Sequence, residues 1–314
     1  MKIRFWGVRG SIPTPLTPEE IRRKISAVVE RITTQDLVSP EAKERFLAHL
    51  PPYLFGTTGG NTTSVEVRLK DGGIIIFDAG TGIFRMANSV AREQSPPKVF
   101  HLFFTHFHWD HIQGFPFFTP QAFDKSCTIH IYSPIEHVEH ILREQMKPPY
   151  FPITLDTMQA KLVFHHLTEP EVKIGTAIVG WRQMQHPGKS FSYKVKDSEG
   201  SFIFATDTEL RDDDFARTEE NRKFFSGVNI LTIDSQYTLD EAIEKYDWGH
   251  SSYSLAVDFA TEWNINNLVL FHHEPLYNDS KMFSIEKSAG WYKSHIGKNN
   301  VNIMLAQEGL ELTL

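Results

Sequence analysis

A chain of 314 residues with 40% hydrophobic content can bury a sizeable core, which excludes a disordered or fibrous protein. A formal net charge of −7 and an isoelectric point near 6.1 give no broad basic face of the kind that grips nucleic acid. The single cysteine, Cys127, excludes an internal disulfide and points to the cytoplasm, and no signal-peptide core or membrane-length apolar run is visible.

Residues 2–6 read as a strand that ends in the loop Gly7-Val8-Arg9-Gly10-Ser11-Ile12-Pro13. Thr17-Pro18-Glu19-Glu20 carries a capping box, and Ile21, Ile25, Val28, Val29 and Ile32 follow at helical spacing. Ser39-Pro40-Glu41 starts a second helix that Pro51-Pro52 should stop. The helical stretch 17–52 therefore reads as an insertion into one sheet-containing domain spanning 1–314. It could serve as a lid, a substrate wall or a homodimer contact.

Strands follow at about 62–69 and 73–78 across an Asp71-Gly72-Gly73 turn, then a helix over 82–93 and a strand over 99–104. Further strands are predicted near 127–132, 161–166, 176–184, 190–196, 201–205, 228–233 and 268–271, with a last pair within 301–313. Helices are predicted over 134–146, 212–225, 251–263 and 283–296. Phe115, Phe117 and Phe118 could wall a nucleobase, though aromatics at this density are more often core, and Pro149-Tyr150-Phe151 has the rigidity of a pocket rim. This pattern predicts a layered α/β fold.

Strand after strand ends in a residue able to ligate metal: Asp78, His106, His186, Asp207, Asp234 and His272. The densest cluster is Thr105-His106-Phe107-His108-Trp109-Asp110-His111. Four ligands in so short a span exceed what one tetrahedral ion takes from one segment, so two ions fit better. His106 and His108 would hold one and Asp110 and His111 the other, with Asp207 as a shared carboxylate, His186 completing the first and His272 the second. Zinc suits the imidazoles, and manganese or iron also fits the set. Asp78 reads as a partner of the ligands rather than a ligand, and His272 is preferred to its neighbour His273 because it directly follows the apolar strand. His101, His130, His137, His140, His165, His166 and His295 read as surface or edge residues, and Arg9 as a surface residue or a phosphate contact.

The His-x-His-x-Asp-His segment 106–111 resembles the signature of the metallo-β-lactamase-fold superfamily. The resemblance continues through Asp78-Ala79-Gly80-Thr81-Gly82, Gln185-His186-Pro187-Gly188, Ala205-Thr206-Asp207-Thr208 and Gly249-His250-Ser251-Ser252 to Leu268-Val269-Leu270-Phe271-His272. Several of these pieces resemble the tRNase Z-like branch, and Gly7-Val8-Arg9-Gly10-Ser11-Ile12-Pro13 with residues 59–67, GGNTTSVEV, further resemble the subgroup containing phosphoribosyl cyclic phosphodiesterase. The resemblance implies a four-layer αββα sandwich and a hydrolase in which a hydroxide shared by two metals attacks phosphorus. It also implies that Asp110 ligates metal and orients that hydroxide, and that His250 protonates the leaving oxygen or holds the phosphate. Two departures stand out. The glutamate that partners this histidine in tRNase Z is replaced by Ser251, and no glycine- and proline-rich arm for holding tRNA is seen.

The expected substrate is a small cyclic or nucleotide-derived phosphodiester. RNA or single-stranded DNA is the alternative, and a metal-holding sensor without catalysis is a third reading from another class.

Overall fold

The computed structural model describes residues 1–296 and 301–314. Two seven-stranded sheets face each other. The first holds β1 (Lys2–Gly7), β2 (Ser64–Arg68), β3 (Ile74–Phe77), β4 (Val99–Phe103), β5 (Thr128–Ser133) and β6 (Lys161–His166). The second holds β7 (Glu171–Ile174), β8 (Ala177–Met184), β9 (Ser190–Lys196), β10 (Ser201–Ala205), β11 (Ile230–Asp234), β12 (Asn267–Phe271) and β13 (Asn302–Leu305). β14 (Glu311–Thr313) returns to pair antiparallel with β1 in the first sheet.

β3 to β6 run parallel, as do β10 to β13, while β1 and β2 and β7 to β9 make antiparallel pairings. The helices are α1 (Pro18–Val29), α2 (Pro40–Ala48), α3 (Pro52–Phe55), α4 (Gly82–Ala91), α5 (Trp109–Ile112), α6 (Val138–Gln145), α7 (Asp212–Phe215), α8 (Glu219–Phe225), α9 (Leu239–Glu244), α10 (Tyr253–Glu262) and α11 (Asp279–Ile296).

Apolar runs without alternation are explained by burial on both faces. In β3, Ile75 and Phe77 join the cluster between the sheets, while Ile74 and Ile76 join the cluster with Ile83, Met86 and Val90 of α4. In β10, Phe202 and Phe204 point between the sheets, and Ile203 and Ala205 pack with Phe259 and Ala260 of α10. Layers of helix, sheet, sheet and helix result, the αββα sandwich expected from the sequence. Phe77 stacks on Phe204 at 5.3 Å and on Tyr193 at 5.5 Å, so aromatic contacts lock one sheet to the other. The Tyr193 hydroxyl crosses the interface and donates to the Phe104 carbonyl at 2.6 Å, just before the histidine segment.

Several local expectations change. The 212–225 helix is two short helices, because Thr218 caps α8 and the Asn221 amide donates to the Asp213 and Ala216 carbonyls at 2.8 Å each. The helix predicted from 134 begins at Val138, after His137 takes a left-handed φ of 62°. Pro51-Pro52 does not end helical structure: Pro52 opens α3, where its missing N–H costs nothing. The short β7 and α9 give too little periodicity to be read from the sequence. Phe115 and Phe118 are core, but Phe117 is half-exposed. His101, His130 and His165 are not simple surface residues. They stack across β4, β5 and β6 at 5.1 and 5.2 Å between ring centres.

α1 to α3 lie between β1 and β2 and rest on α11, where Tyr53 meets Phe283 at 5.5 Å and Lys24 pairs with Asp279. Ile25 and Val29 of α1 stay exposed.

Candidate metal centre

The histidine segment leaves β4 and is tied down at both ends by one buried carboxylate. Asp78, just after β3, accepts the Thr105 N–H and hydroxyl at 2.8 Å each and the His111 Nδ1–H at 2.8 Å. α5 is a single turn that begins after His108. It buries Asp110 and His111 on one side and leaves Trp109 78% exposed on the other.

Parallel register does the rest. Ala205 lies beside Ile233, and Asp234 beside Phe271, so Asp207, Asp234 and His272 emerge from neighbouring strand ends. Asp78, Asp207 and His272 all hold left-handed φ angles of 59°, 49° and 60°. Such strain persists where surrounding contacts over-determine a residue.

Two groups form. His106, His108, His186 and Asp207 make one, and Asp110, His111, Asp207 and His272 the other; within each, the ligand atoms all lie within 4.8 Å of one another. Asp207 belongs to both. Its Oδ1 lies 3.7 Å from His106 Nε2, while its Oδ2 lies 3.1 Å from His111 Nε2 and 3.2 Å from His272 Nε2. His108 Nδ1 and His186 Nε2 converge to 3.2 Å.

The imidazoles are oriented by their outer nitrogens. His186 Nδ1–H donates to the Gly249 carbonyl at 2.9 Å, His106 Nδ1 meets the Thr105 hydroxyl at 3.0 Å, and His111 Nδ1 is held by Asp78. Each Nε2 is thereby turned inward, which is how metal-ligating histidines are usually fixed. The Asp110 Oδ2 accepts the Ser11 N–H at 2.8 Å, so the Gly10-Ser11 loop reaches the centre.

Charge and burial compete here. Burial works to raise the Asp207 carboxyl, but the His111, His272 and His106 charges outweigh it and hold it well below the carboxylate range. Burial also works against the charge on His272, yet Asp207 and Asp110 push it up to about 10. His111 rises in the same way among Asp207, Asp110 and Asp78. His106 falls well below the usual value because it is buried and beside His111. The centre thus holds fully buried carboxylates whose charge must be balanced by cations.

His250 sits at the edge of the cluster, its ring 5.0 Å from His272 and 5.2 Å from His186. Its Nδ1–H donates to Asp234 Oδ2 at 2.7 Å. Ser251, at the position of the expected glutamate, gives its hydroxyl to the Thr208 carbonyl at 2.7 Å instead, so the carboxylate partner comes from the end of β11. Asp234, His250 and His272 form a third convergent group. Glu209, buried beside it, accepts the Asp247 and Gly249 N–H groups at 3.1 and 3.0 Å and so holds the loop that carries His250.

Two glycines permit close approach: a Cβ on Gly10 would stand 2.8 Å from the His272 ring, and one on Gly249, at φ +89°, 2.3 Å from His186 Nδ1. Asp234 was visible in the sequence as a strand-end acid, but its partnership with His250 was not. Ser11, Glu209 and the two glycine contacts carried no readable signal. His273 points away, its Nε2 donating to the Ala306 carbonyl at 2.8 Å. Arg9 is neither surface nor phosphate contact. It is buried, and its guanidinium donates to the Gly59, Glu274 and Tyr277 carbonyls at 2.9, 3.1 and 2.8 Å.

The residues fit divalent cations. His106 Nε2 and His111 Nε2 are buried with no hydrogen-bond partner, an expensive arrangement unless a cation sits between them and the carboxylates.

Fold and donor set together define a metallo-β-lactamase-type hydrolase. The chain belongs to the β-lactamase superfamily: the family model described as "Beta-lactamase superfamily domain" matches residues 74–273. Ribonuclease Z of Thermococcus kodakarensis is 33% identical over 150 residues, which is 46% of this chain and 44% of that protein. The chain spans about half the length of most curated relatives it matches. Two solved structures share the fold across the whole chain. Human tRNase Z, short form, has a TM-score of 0.55 at 16% identity, covering 100% of this chain and 99% of that one. A diphosphatase from the PhnP family has a TM-score of 0.64 at 16% identity, covering 100% and 97%. Among the described residues no helix is long and apolar enough to cross a membrane.

Proposed function

We propose that the chain is a dinuclear metal-dependent phosphodiesterase acting on RNA. The observation that carries this reading is the pair of donor groups sharing Asp207, with the His250–Asp234 pair at their edge. The ribonuclease Z relatives move the substrate from the small diester expected from the sequence towards RNA. His106, His108, His186 and Asp207 would hold one ion, and Asp110, His111, Asp207 and His272 the other. Bound there, the ions supply Lewis acidity at the phosphoryl oxygens and a water acidified for attack.

The chain's own groups do the rest. Asp110, whose Oδ2 accepts the Ser11 N–H at 2.8 Å, would orient the attacking water. His250 has Nδ1 committed to Asp234, so Nε2 is the atom that hands a proton to the departing ribose oxygen. Asp234 holds that tautomer and steadies the ring when it is charged.

The test is turnover of a short RNA with an unpaired 3′ end against a panel of cyclic and linear small diesters, each with zinc and with manganese, alongside metal analysis. Cleavage of RNA supports the reading. Protein with two bound metals that cleaves no phosphodiester sinks it. The net charge of −7 favours a second reading, a small cyclic or nucleotide-derived diester. Cleavage of that panel with indifference to RNA would select it.

A further inference from the structure

Behind the metal-facing side of α5 lies a cavity of about 440 Å³ lined by Phe107, Trp109, Phe117, Tyr150, Gln113 and Gln145, among others. Its size is that of a small-ligand pocket. Trp109 and Tyr150 are 78% and 71% exposed, and Phe117 is 50% exposed, an unusual concentration of open aromatic faces. The walls are anchored. Phe107 packs on Phe104 at 5.1 Å, and Phe117 meets Phe151 edge-on at 5.7 Å. The edge is polar: the Gln145 amide donates to the Ile112 carbonyl at 2.7 Å, and its Oε1 is left buried with no hydrogen-bond partner. Phe107 and Trp109 alternate with His106 and His108, so cavity and donor groups share one segment. α5 turns Asp110 and His111 to the centre and Trp109 and Ile112 to the cavity.

We propose that this cavity is a base-stacking subsite that takes the nucleobase of a nucleotide next to the cleaved phosphodiester. The inference rests on the phosphodiesterase reading above and adds how the chain holds its substrate. Flat aromatic faces stack on any base, and the partnerless Gln145 Oε1 is an acceptor suited to an N–H on a base edge. A chain with a net charge of −7 gains more grip on a single strand from stacking than from charge. Because the one-turn helix stands between cavity and donor groups, the stacked base belongs to a flanking nucleotide.

The experiment has two arms on the metal-loaded protein. In the first, 2-aminopurine ribonucleoside monophosphate is titrated in, and its fluorescence is quenched as it stacks. Trp109→Ala and, separately, Tyr150→Ala weaken that binding by about five- to a hundred-fold, the range that base–aromatic stacking spans. In the second, a short single-stranded RNA is compared with the same RNA carrying an abasic ribose beside the cleaved bond. For the unaltered protein the abasic change raises KM by a similar factor; for Trp109→Ala, where only part of the stack remains, it raises KM by less. Quenching that is unchanged in both variants, or an abasic KM within twofold of the parent, overturns the subsite. RNA cleaved without base dependence removes the subsite and leaves the RNA reading intact. Trp109-dependent quenching without RNA cleavage supports the subsite and removes the RNA reading. Tyr150, outside the histidine segment, keeps the test decisive if the Trp109 variant does not fold.

Discussion

Replacing Asp234 by asparagine preserves the size of a fully buried side chain and removes one charge. Its Oδ2 accepts the His250 Nδ1–H at 2.7 Å, and its Oδ1 accepts the Ser251 and Gln236 N–H groups at 3.1 and 3.2 Å. An amide can keep Oδ1 on the backbone donors, but it then presents NH₂ to His250, and two donors face each other. A hydrogen bond to a charged group contributes about 1.5–3 kcal/mol. At about 1.4 kcal/mol per decade of rate, losing it as His250 becomes charged costs about ten- to 150-fold in kcat. The fall should appear in full with a ribose oxygen as leaving group. It should shrink with bis(p-nitrophenyl) phosphate, whose leaving group departs without a proton. Steady-state kinetics on both esters, with metal content measured alongside, gives the comparison. Compared at equal metal content, because Asp234 Oδ2 also lies 3.4 Å from His272 Nδ1, the double variant Asp234→Asn/His250→Ala should fall no further than His250→Ala. Equal losses on both esters, or losses that multiply in the double variant, would refute the reasoning.

Asp207→Ala removes the carboxylate common to both donor groups, so the purified variant should carry fewer than two metals by atomic spectrometry; unchanged metal content would show that Asp207 is not shared. Gly10→Ala pushes a methyl against the His272 ring and should weaken metal binding by about ten- to a hundred-fold, read by chelator competition. Tyr193→Phe removes the shorter of the two bonds to the Phe104 carbonyl, leaving the Ser133 hydroxyl at 3.3 Å, and should cost about 1 kcal/mol in urea unfolding; no change in midpoint would mean that the Ser133 hydroxyl suffices. Burial, then the neighbouring His130 and His165, push His101 down to about 4. The unfolded chain therefore binds the extra proton between pH 6.5 and 4, and stability present above pH 6.5 is lost as pH falls through that window. His101→Leu should remove about 1 kcal/mol of the acid loss at pH 5, a figure discounted because the ring is only half-buried. Identical pH dependence in parent and variant would rule the ring out.

The layered fold was legible because strands buried on both faces leave unbroken apolar runs, such as Ile74-Ile75-Ile76-Phe77. The residues that converge in the two donor groups stood out because His106, His186, Asp207 and His272 come within three residues of a strand end, and His108, Asp110 and His111 share the segment of His106. What stayed hidden depends on contacts between distant segments. Ser251 suggested that His250 had lost its carboxylate, since the sequence does not show that β11 ends beside the His250 loop. Gly10 looked like an ordinary turn residue; only the approach of His272 explains it. Arg9 looked exposed because nothing in the chain announces the three carbonyls that receive its guanidinium. The α7–α8 break was hidden because caps are set by single side chains, which periodicity averages away.

The donor groups also join halves of the molecule that nothing covalent links at that edge. His106, His108, Asp110 and His111 leave the first sheet, while His186, Asp207 and His272 leave the second. An ion held by both sets would act as a rivet between the two sheets, closing chain loops that a protein with one cysteine cannot close by disulfides. Removing metal would then do more than silence chemistry. The two sheets would be freer to splay at that rim, and the mouth of the cleft, where His108 and Trp109 lie, would be the first part to lose its shape.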